Sequence, residues 1–130
     1  MDQKADSQAL PTIGSQLAGG TYAGITTGKD GVPYALILLD DKPAERLTWR
    51  KAVNWAKKLD AELPTRPEGA LLFANLKDSF EPAAHWTSER LDSSWAWCQS
   101  FNYGNQNLTS QSNELRARAV RRLPIQSLVI

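Results

Sequence analysis

The chain carries one His and one Cys, His85 and Cys98. A thiol activated by an imidazole is a nucleophile, and two neighbouring strands could bring the pair together. No orienting or oxyanion motif accompanies them, so the expectation is a strand-packed thiol and an aromatic-packed or surface imidazole. One His and one Cys cannot close a zinc site, and no carboxylate cluster has calcium-ligand spacing. Asp40 and Asp41 read as a solvated strand end rather than a catalytic dyad. Gly28-Lys29-Asp30-Gly31 precedes a strand and lacks the Gly-Lys-Ser/Thr that a phosphate loop needs. No catalytic residue, metal ligand or cofactor is therefore expected. Arg116, Arg118, Arg121 and Arg122 would contact phosphate if they shared a face. Strand alternation splits them, arginines on an edge strand also discourage edge pairing, and a net charge of +1 leaves no electrostatic footprint for nucleic acid.

What remains is recognition. Residues 99–113 contain no Lys, Arg, Asp or Glu. They hold Gln99, Asn102, Asn105, Gln106, Asn107, Gln111 and Asn113, with Thr109 and three serines between them and Phe101 and Tyr103 among them. Neutral amides carry both donors and acceptors. Beside aromatic rings they make a surface suited to uncharged polar ligands or protein backbone, as in antibody paratopes. The same composition also suits a long polar loop with no role, because Asn, Gly and Ser are ordinary turn formers. The ligand-face residues expected here are Trp95, Trp97, Gln99, Asn102, Tyr103, Asn105, Gln106, Asn107, Thr109, Gln111 and Asn113.

Those residues need a scaffold, and the chain supplies signals for one. Residues 21–27 and 32–39 read as two strands joined by the Gly28–Gly31 turn, the second a nearly continuous apolar run from Tyr34 to Leu39. Thr48 is a candidate N-cap for a helix with Trp49, Ala52, Val53, Ala56 and Leu59 on one stripe, and Lys57 and Lys58 suit its C-terminal dipole. Thr65-Arg66-Pro67-Glu68 is a capping box with proline in the first turn. It opens a second helix carrying Leu71, Leu72, Phe73 and Leu76 and ending within residues 75–78. Residues 85–88 are a short strand, residues 95–101 alternate, residues 102–105 are a turn, and residues 116–123 alternate again. Strands and helices in separate blocks predict an α+β domain, two helices packed on an antiparallel β-sheet.

A length of 130 residues suits one domain. Five Trp is high for such a length, and Trp serves cores and binding faces alike. A single Cys allows no internal disulfide and suits a reducing compartment. Residues 1–18 lack the basic and apolar regions of a signal peptide. No apolar run approaches the roughly 20 residues that span a bilayer. The expectation is a soluble protein of the cytoplasm or a virion. Residues 1–20 read as a flexible arm, 21–123 as the domain, and 124–130 as an apolar tail. Ile125, Leu128, Val129 and Ile130 would dock on their own domain or on a neighbouring subunit, the latter giving a homo-oligomer through the terminal segments.

Several segments, in order, resemble one known family. They are Trp49 and Trp55-Ala56 followed by Leu63-Pro64-Thr65-Arg66-Pro67-Glu68; His85-Trp86-Thr87-Ser88-Glu89; Trp95-Ala96-Trp97-Cys98-Gln99-Ser100-Phe101; Gly104-Asn105-Gln106-Asn107; and Arg116-Ala117-Arg118-Ala119-Val120-Arg121-Arg122-Leu123. Together they are similar to a bacterial and phage domain family named for the C-terminal domain of collagen-like adhesins. The resemblance implies a C-type-lectin-like fold, distantly related to formylglycine-generating enzymes and to the variable proteins of diversity-generating retroelements. In those variable proteins the ligand face lies where residues 102–113 lie here. Glu81-Pro82 is followed by Ala83, and no Trp-Asn-Asp occurs, which argues against calcium-dependent sugar binding. Formylglycine-generating chemistry needs two thiols, which Cys98 alone does not supply. The expected function is a non-catalytic binding module of phage or prophage origin, with a protein or glycan ligand. One alternative is a phage-encoded inhibitor or accessory protein acting on a host protein; a second, against which the single Cys argues, is an enzyme of the formylglycine-generating type.

Overall fold

The computed structural model describes residues 10–128. Among them the architecture is α+β, with two antiparallel sheets and two α-helices. Strands β1 (Gln16–Leu17), β2 (Gly20–Thr27), β3 (Pro33–Leu39) and β7 (Val120–Pro124) form one sheet in the order β1-β2-β3-β7. Strands β4 (Ala84–Arg90), β5 (Trp95–Ser100) and β6 (Gln106–Ser110) form the second, in the order β4-β5-β6. Helices α1 (Trp49–Lys58) and α2 (Arg66–Leu76) lie between them in sequence.

The continuous apolar run of β3 has a simple cause: the strand is buried on both faces. Ala35, Ile37 and Leu39 point into a core with Tyr22, Trp49, Ala52, Ala56, Trp86, Ala96 and Cys98. Leu36 and Leu38 point the other way, onto Leu72, Leu76, Phe80, Phe101 and Val120. Full burial of a leucine or isoleucine contributes about 2 kcal/mol by transfer alone, so this strand anchors the sheet from both sides. Helix α1 covers the first core with its stripe of Trp49, Ala52 and Ala56. Thr48 occupies the N-cap position with extended backbone, but its side chain makes no capping hydrogen bond. At the other end Arg121 caps the helix from β7, donating through Nη2 to the Leu59 carbonyl at 2.6 Å.

Helix α2 lies on the second core. Its capping box forms as the sequence predicts, with Glu68 N–H donating to Thr65 Oγ1 at 3.3 Å and Thr65 N–H to Glu68 Oε1 at 2.8 Å. The helix crosses β2 at Gly24, whose φ of +121° sits at a register shift in the ladder to β3. A Cβ there would stand 3.1 Å from Asn75 Nδ2, the group that donates to the Ala23 carbonyl.

Glu68 also does more than cap. Its carboxylate is fully buried, and Arg122 from β7 donates to it through Nε at 2.6 Å and Nη2 at 2.8 Å. The Tyr34 hydroxyl donates to it from β3, and Glu62 takes the remaining face of the Arg122 guanidinium. Burial would raise the Glu68 pKa, but the hydrogen bonds from Arg122, Tyr34 and Thr65 outweigh it and hold the carboxyl below its ordinary value. Burial, joined by the bond to Glu68, pushes Tyr34 up to about 12.

Three features differ from the sequence reading. Residues 116–119 are not strand. They cross from one sheet to the other, with Arg116 bonded to the backbone of Ala84 and Trp86 and Ala119 to Leu39. Arg118 is buried in that crossing, donating to the carbonyls of Ser79 and Leu39, so alternation there reflects two separate packings rather than one pleat. Residues 106–110, expected within a loop, are a strand. The stretch expected to be an arm already holds β1 at Gln16–Leu17; residues 1–9 lie outside the described residues. Of the apolar tail, Ile125 and Leu128 pack on the first core of their own domain, and Val129 and Ile130 lie outside the described residues.

Glu68→Ala removes two of the hydrogen bonds of the Arg122 guanidinium and the acceptor of the Tyr34 hydroxyl, leaving Arg122 its partner Glu62, and is expected to destabilise the fold by about 2–3 kcal/mol. The joint replacement Glu68→Leu with Arg122→Met should cost far less than the sum of its parts. Urea midpoints for the two singles and the double check both statements.

Candidate functional site

The second sheet presents the site. The β5–β6 register sets Trp95 against Ser110, Trp97 against Leu108 and Gln99 against Gln106 on one face, and Ala96 and Cys98 on the other. The second face is core at Ala96 and Cys98 and carries Thr109 and the exposed Asn107 opposite them. The first runs from buried to open along its length. At the Gln99 end the start of α2 lies over it: Gly69 sits against the Gln99 side chain, and the Arg66 guanidinium carbon stands 3.5 Å from the centre of the Trp97 ring. A cation stacked on an indole contributes about 0.5–2 kcal/mol and fixes the ring. At the other end the face opens, with Trp95 45% exposed and Leu108 37%.

The amides divide into two groups. Gln99 is 1% exposed, and its Nε2 donates to the carbonyls of Ser100 and Gly104, both at 3.0 Å. Gln106 donates to Gln99 Oε1 at 2.8 Å and to the Arg66 carbonyl at 2.7 Å, and accepts from Arg66 Nε at 3.0 Å. Gln111 donates to the Asp92 carbonyl at 2.8 Å, and Asn113 to Thr109 Oγ1 at 2.8 Å. These side chains hold the site together. Asn102, Asn105 and Asn107 are exposed, and their side chains make no hydrogen bond among the described residues. Tyr103 is 86% exposed at the tip of the β5–β6 turn. Of the residues expected on a ligand face, Trp95, Asn102, Tyr103, Asn105 and Asn107 are open to solvent, Trp97, Gln106, Thr109 and Gln111 are half-buried, Gln99 is enclosed, and Asn113 is exposed but tied to Thr109.

The turn itself is built by two devices. Ser100 Oγ accepts from the amides of Asn102 and Tyr103, both at 3.2 Å. Gly104 has φ of +84°, and a Cβ there would stand 2.5 Å from the Phe73 ring. Phe73 in turn packs on Phe101, which stacks on Phe80 at 3.8 Å between ring centres. Arg66 and Leu108 belong to the face and were not singled out by type or spacing. Arg66 showed in the sequence only as a capping-box residue, and Leu108 lay inside a segment read for its polar members. An open cleft of about 470 Å³ adjoins the face through Arg66 and Gln106 and is lined also by Lys29, Tyr34, Pro67 and Glu89. Glu89 accepts from the Arg66 amide at 2.7 Å, so the N-terminus of α2 already has its anion.

His85 and Cys98 do not meet. His85 pairs with Gln99 and Trp86 with Cys98, so imidazole and thiol lie on opposite faces of the β4–β5 ladder. Burial raises the Cys98 pKa. His85 is boxed edge-on by Phe80 and Phe101, with Nδ1 at 3.0 Å from the Ala83 carbonyl. No group of three or more His, Cys, Asp or Glu capable of holding a metal occurs among the described residues. No protein-family model matches the chain, and no curated protein matches it either.

Two expected outcomes follow from this geometry. Gly104→Ala should cost about 2 kcal/mol, from the left-handed backbone and the contact with Phe73, read as a drop in the urea midpoint. Burial, joined by Arg118 and Arg116 and opposed by the Ala83 carbonyl and by Glu81, lowers His85 from 6.5 to about 4. The folded value lies below the unfolded one, so the contribution of neutral His85 is complete above about pH 6.5 and is lost as pH falls towards 4, about 3 kcal/mol in all. Unfolding free energies at pH 7 and pH 4.5 should therefore differ more in the wild type than in His85→Phe.

Proposed function

We propose that the protein is a non-catalytic binding module whose ligand face is the open part of the second sheet and its β5–β6 turn. The observation that carries this reading is the exposure of Trp95, Tyr103 and Leu108 on a surface without formal charge between residues 99 and 113. Large apolar side chains held in water mark recognition sites where they cluster, as Trp95 and Leu108 do at the open end of the face, with Tyr103 exposed in the turn at its other end. The unbonded amides of Asn102 and Asn105 in the turn supply orientation, and Arg66 and Gln106 supply a rigid floor; Asn107, opposite Cys98, is exposed on the other face of the sheet. Apolar anchors with neutral amides fit a protein surface better than a sugar held through calcium. The ligand on this reading is a protein.

The finer fold belongs to the same proposal. Two helices packed against a sheet that contains both the first and the last strand, with a smaller sheet carried on the chain between them, support a C-type-lectin-like fold. The resemblance to phage and bacterial adhesin domains supports phage or prophage origin. No helix among the described residues is long and apolar enough to cross a membrane.

The test is capture from host lysate and cell-surface extract with the wild type and with Trp95→Ala/Tyr103→Ala. Both side chains are solvent-exposed, so the double variant should unfold within about 0.5 kcal/mol of the wild type. A partner held by the wild type and lost by the variant is the expected result. The same captured set in both would overturn the assignment of this face.

A further inference from the structure

We propose that the outer edge of β6 is a self-association edge: two copies pair β6 to β6, antiparallel, across a two-fold axis at Leu108, joining two three-stranded sheets into one. This goes beyond the ligand face, because it concerns the backbone along the strand's rim.

The polarity of β6 follows from its ends. The Asn105 carbonyl accepts from Ser100 N–H at 2.9 Å, and Gln111 N–H donates to the Ser94 carbonyl at 2.9 Å. Asn105 and Gln111 therefore face β5. Alternation turns Asn107 and Thr109 inward as well and leaves the N–H and C=O groups of Gln106, Leu108 and Ser110 pointing out. Among the described residues the one backbone partner on that rim is Asn113 N–H, which donates to the Ser110 carbonyl at 3.0 Å. A carbonyl has a second lone pair. The outward groups are symmetric about Leu108. A second β6 laid antiparallel sets Gln106 against Ser110, Leu108 against Leu108 and Ser110 against Gln106, each as a bonded pair, with no slip.

The other edges are guarded in the ways soluble sheets use. Strand β1 is two residues long, and the edge of β2 beyond it is bent by the register shift at Gly24 and has its Ala23 carbonyl taken by Asn75. The free side of β7 exchanges both hydrogen bonds at Val120 with Glu62, carries Arg121 and Arg122, and ends in Pro124. The free side of β4 is closed by Arg116. Strand β6 has no Lys, Pro or register shift. Its charge pattern also suits its own copy. The strand is neutral, so the axis brings no like charges together. Arg66 sits at the Gln106 end, and Asp92 lies in the turn next to Gln111 at the other, so the antiparallel pair turns the end that carries a cation towards the end that carries an anion. Leu108, on the same face as Trp97, would meet its own copy directly across the joint.

The experiment is sedimentation equilibrium of the full chain from nanomolar to near-millimolar concentration, on the wild type, Leu108→Lys, Leu108→Glu and an equal mixture of the two variants. The wild type should rise from 14.4 kDa towards twice that mass. Each charged variant should stay at the monomer mass, because the axis sets its new charge against an identical one, and the mixture should recover the dimer. Leu108 is exposed, so both variants should keep the wild-type circular dichroism. A wild type that stays monomeric throughout, or a charged variant that dimerises as the wild type does, would overturn the proposal. A mixture that does not recover the dimer would overturn the two-fold register. Trp95→Ala leaves the rim untouched and should dimerise normally even where it no longer captures a ligand.

Discussion

The buried carboxylate of Glu68 is the constraint on which the rest of the fold turns. It closes its own helix through the Thr65 amide, and it takes a bidentate hold on Arg122 of the last strand and a hydroxyl from Tyr34 of the central one. An ion buried without partners costs several kcal/mol, so any arrangement that separates these groups is penalised. Sequence-distant segments are thereby committed to one mutual placement: the helix start at residue 65, strand β3 at residue 34 and strand β7 at residue 122. The site inherits that placement. Arg66, the residue next to the cap, is the one that lies on Trp97 and bonds Gln106, so the floor of the face is set by the same helix terminus that the carboxylate fixes.

Two aromatic donors extend the same logic across the first core. Trp49 Nε1 donates to the Thr87 carbonyl at 2.9 Å, and Trp86 Nε1 to the Leu47 carbonyl at 2.7 Å. Each indole buries a large apolar area while satisfying its one polar atom on the other's segment. The start of α1 and strand β4 are thus tied reciprocally, which holds the second sheet against the first from the side opposite α2.

Much of this was legible in the sequence where one local signal decided the outcome. The capping box at Thr65 and Glu68, the stripe of α1 and the two-sided burial of β3 follow from spacing alone. The strand β6 was not legible, because Thr109 is its one β-branched residue and Gln106, Asn107 and Ser110 are turn and loop formers; its pairing with β5 decides the conformation. Residues 116–119 mislead for the opposite reason. Their alternation is real, yet Arg118 faces inwards to backbone carbonyls, so a polar residue sits where a polar/apolar code expects solvent. The roles of the amides were equally hidden. Gln99 and Asn105 have the same chemistry, and only their neighbours make one a buried brace and the other a free group.

That division of labour among the amides bears on how the protein can change. Mutations at Gln99 or Gln106 strike hydrogen bonds that the fold uses, and selection for stability will resist them. The side chains of Asn102, Tyr103, Asn105 and Asn107 make no described hydrogen bond, and the turn is shaped instead by Ser100 and Gly104. Substitutions there meet little thermodynamic resistance. The surface is therefore one whose chemistry can be rewritten residue by residue while the scaffold beneath keeps its shape.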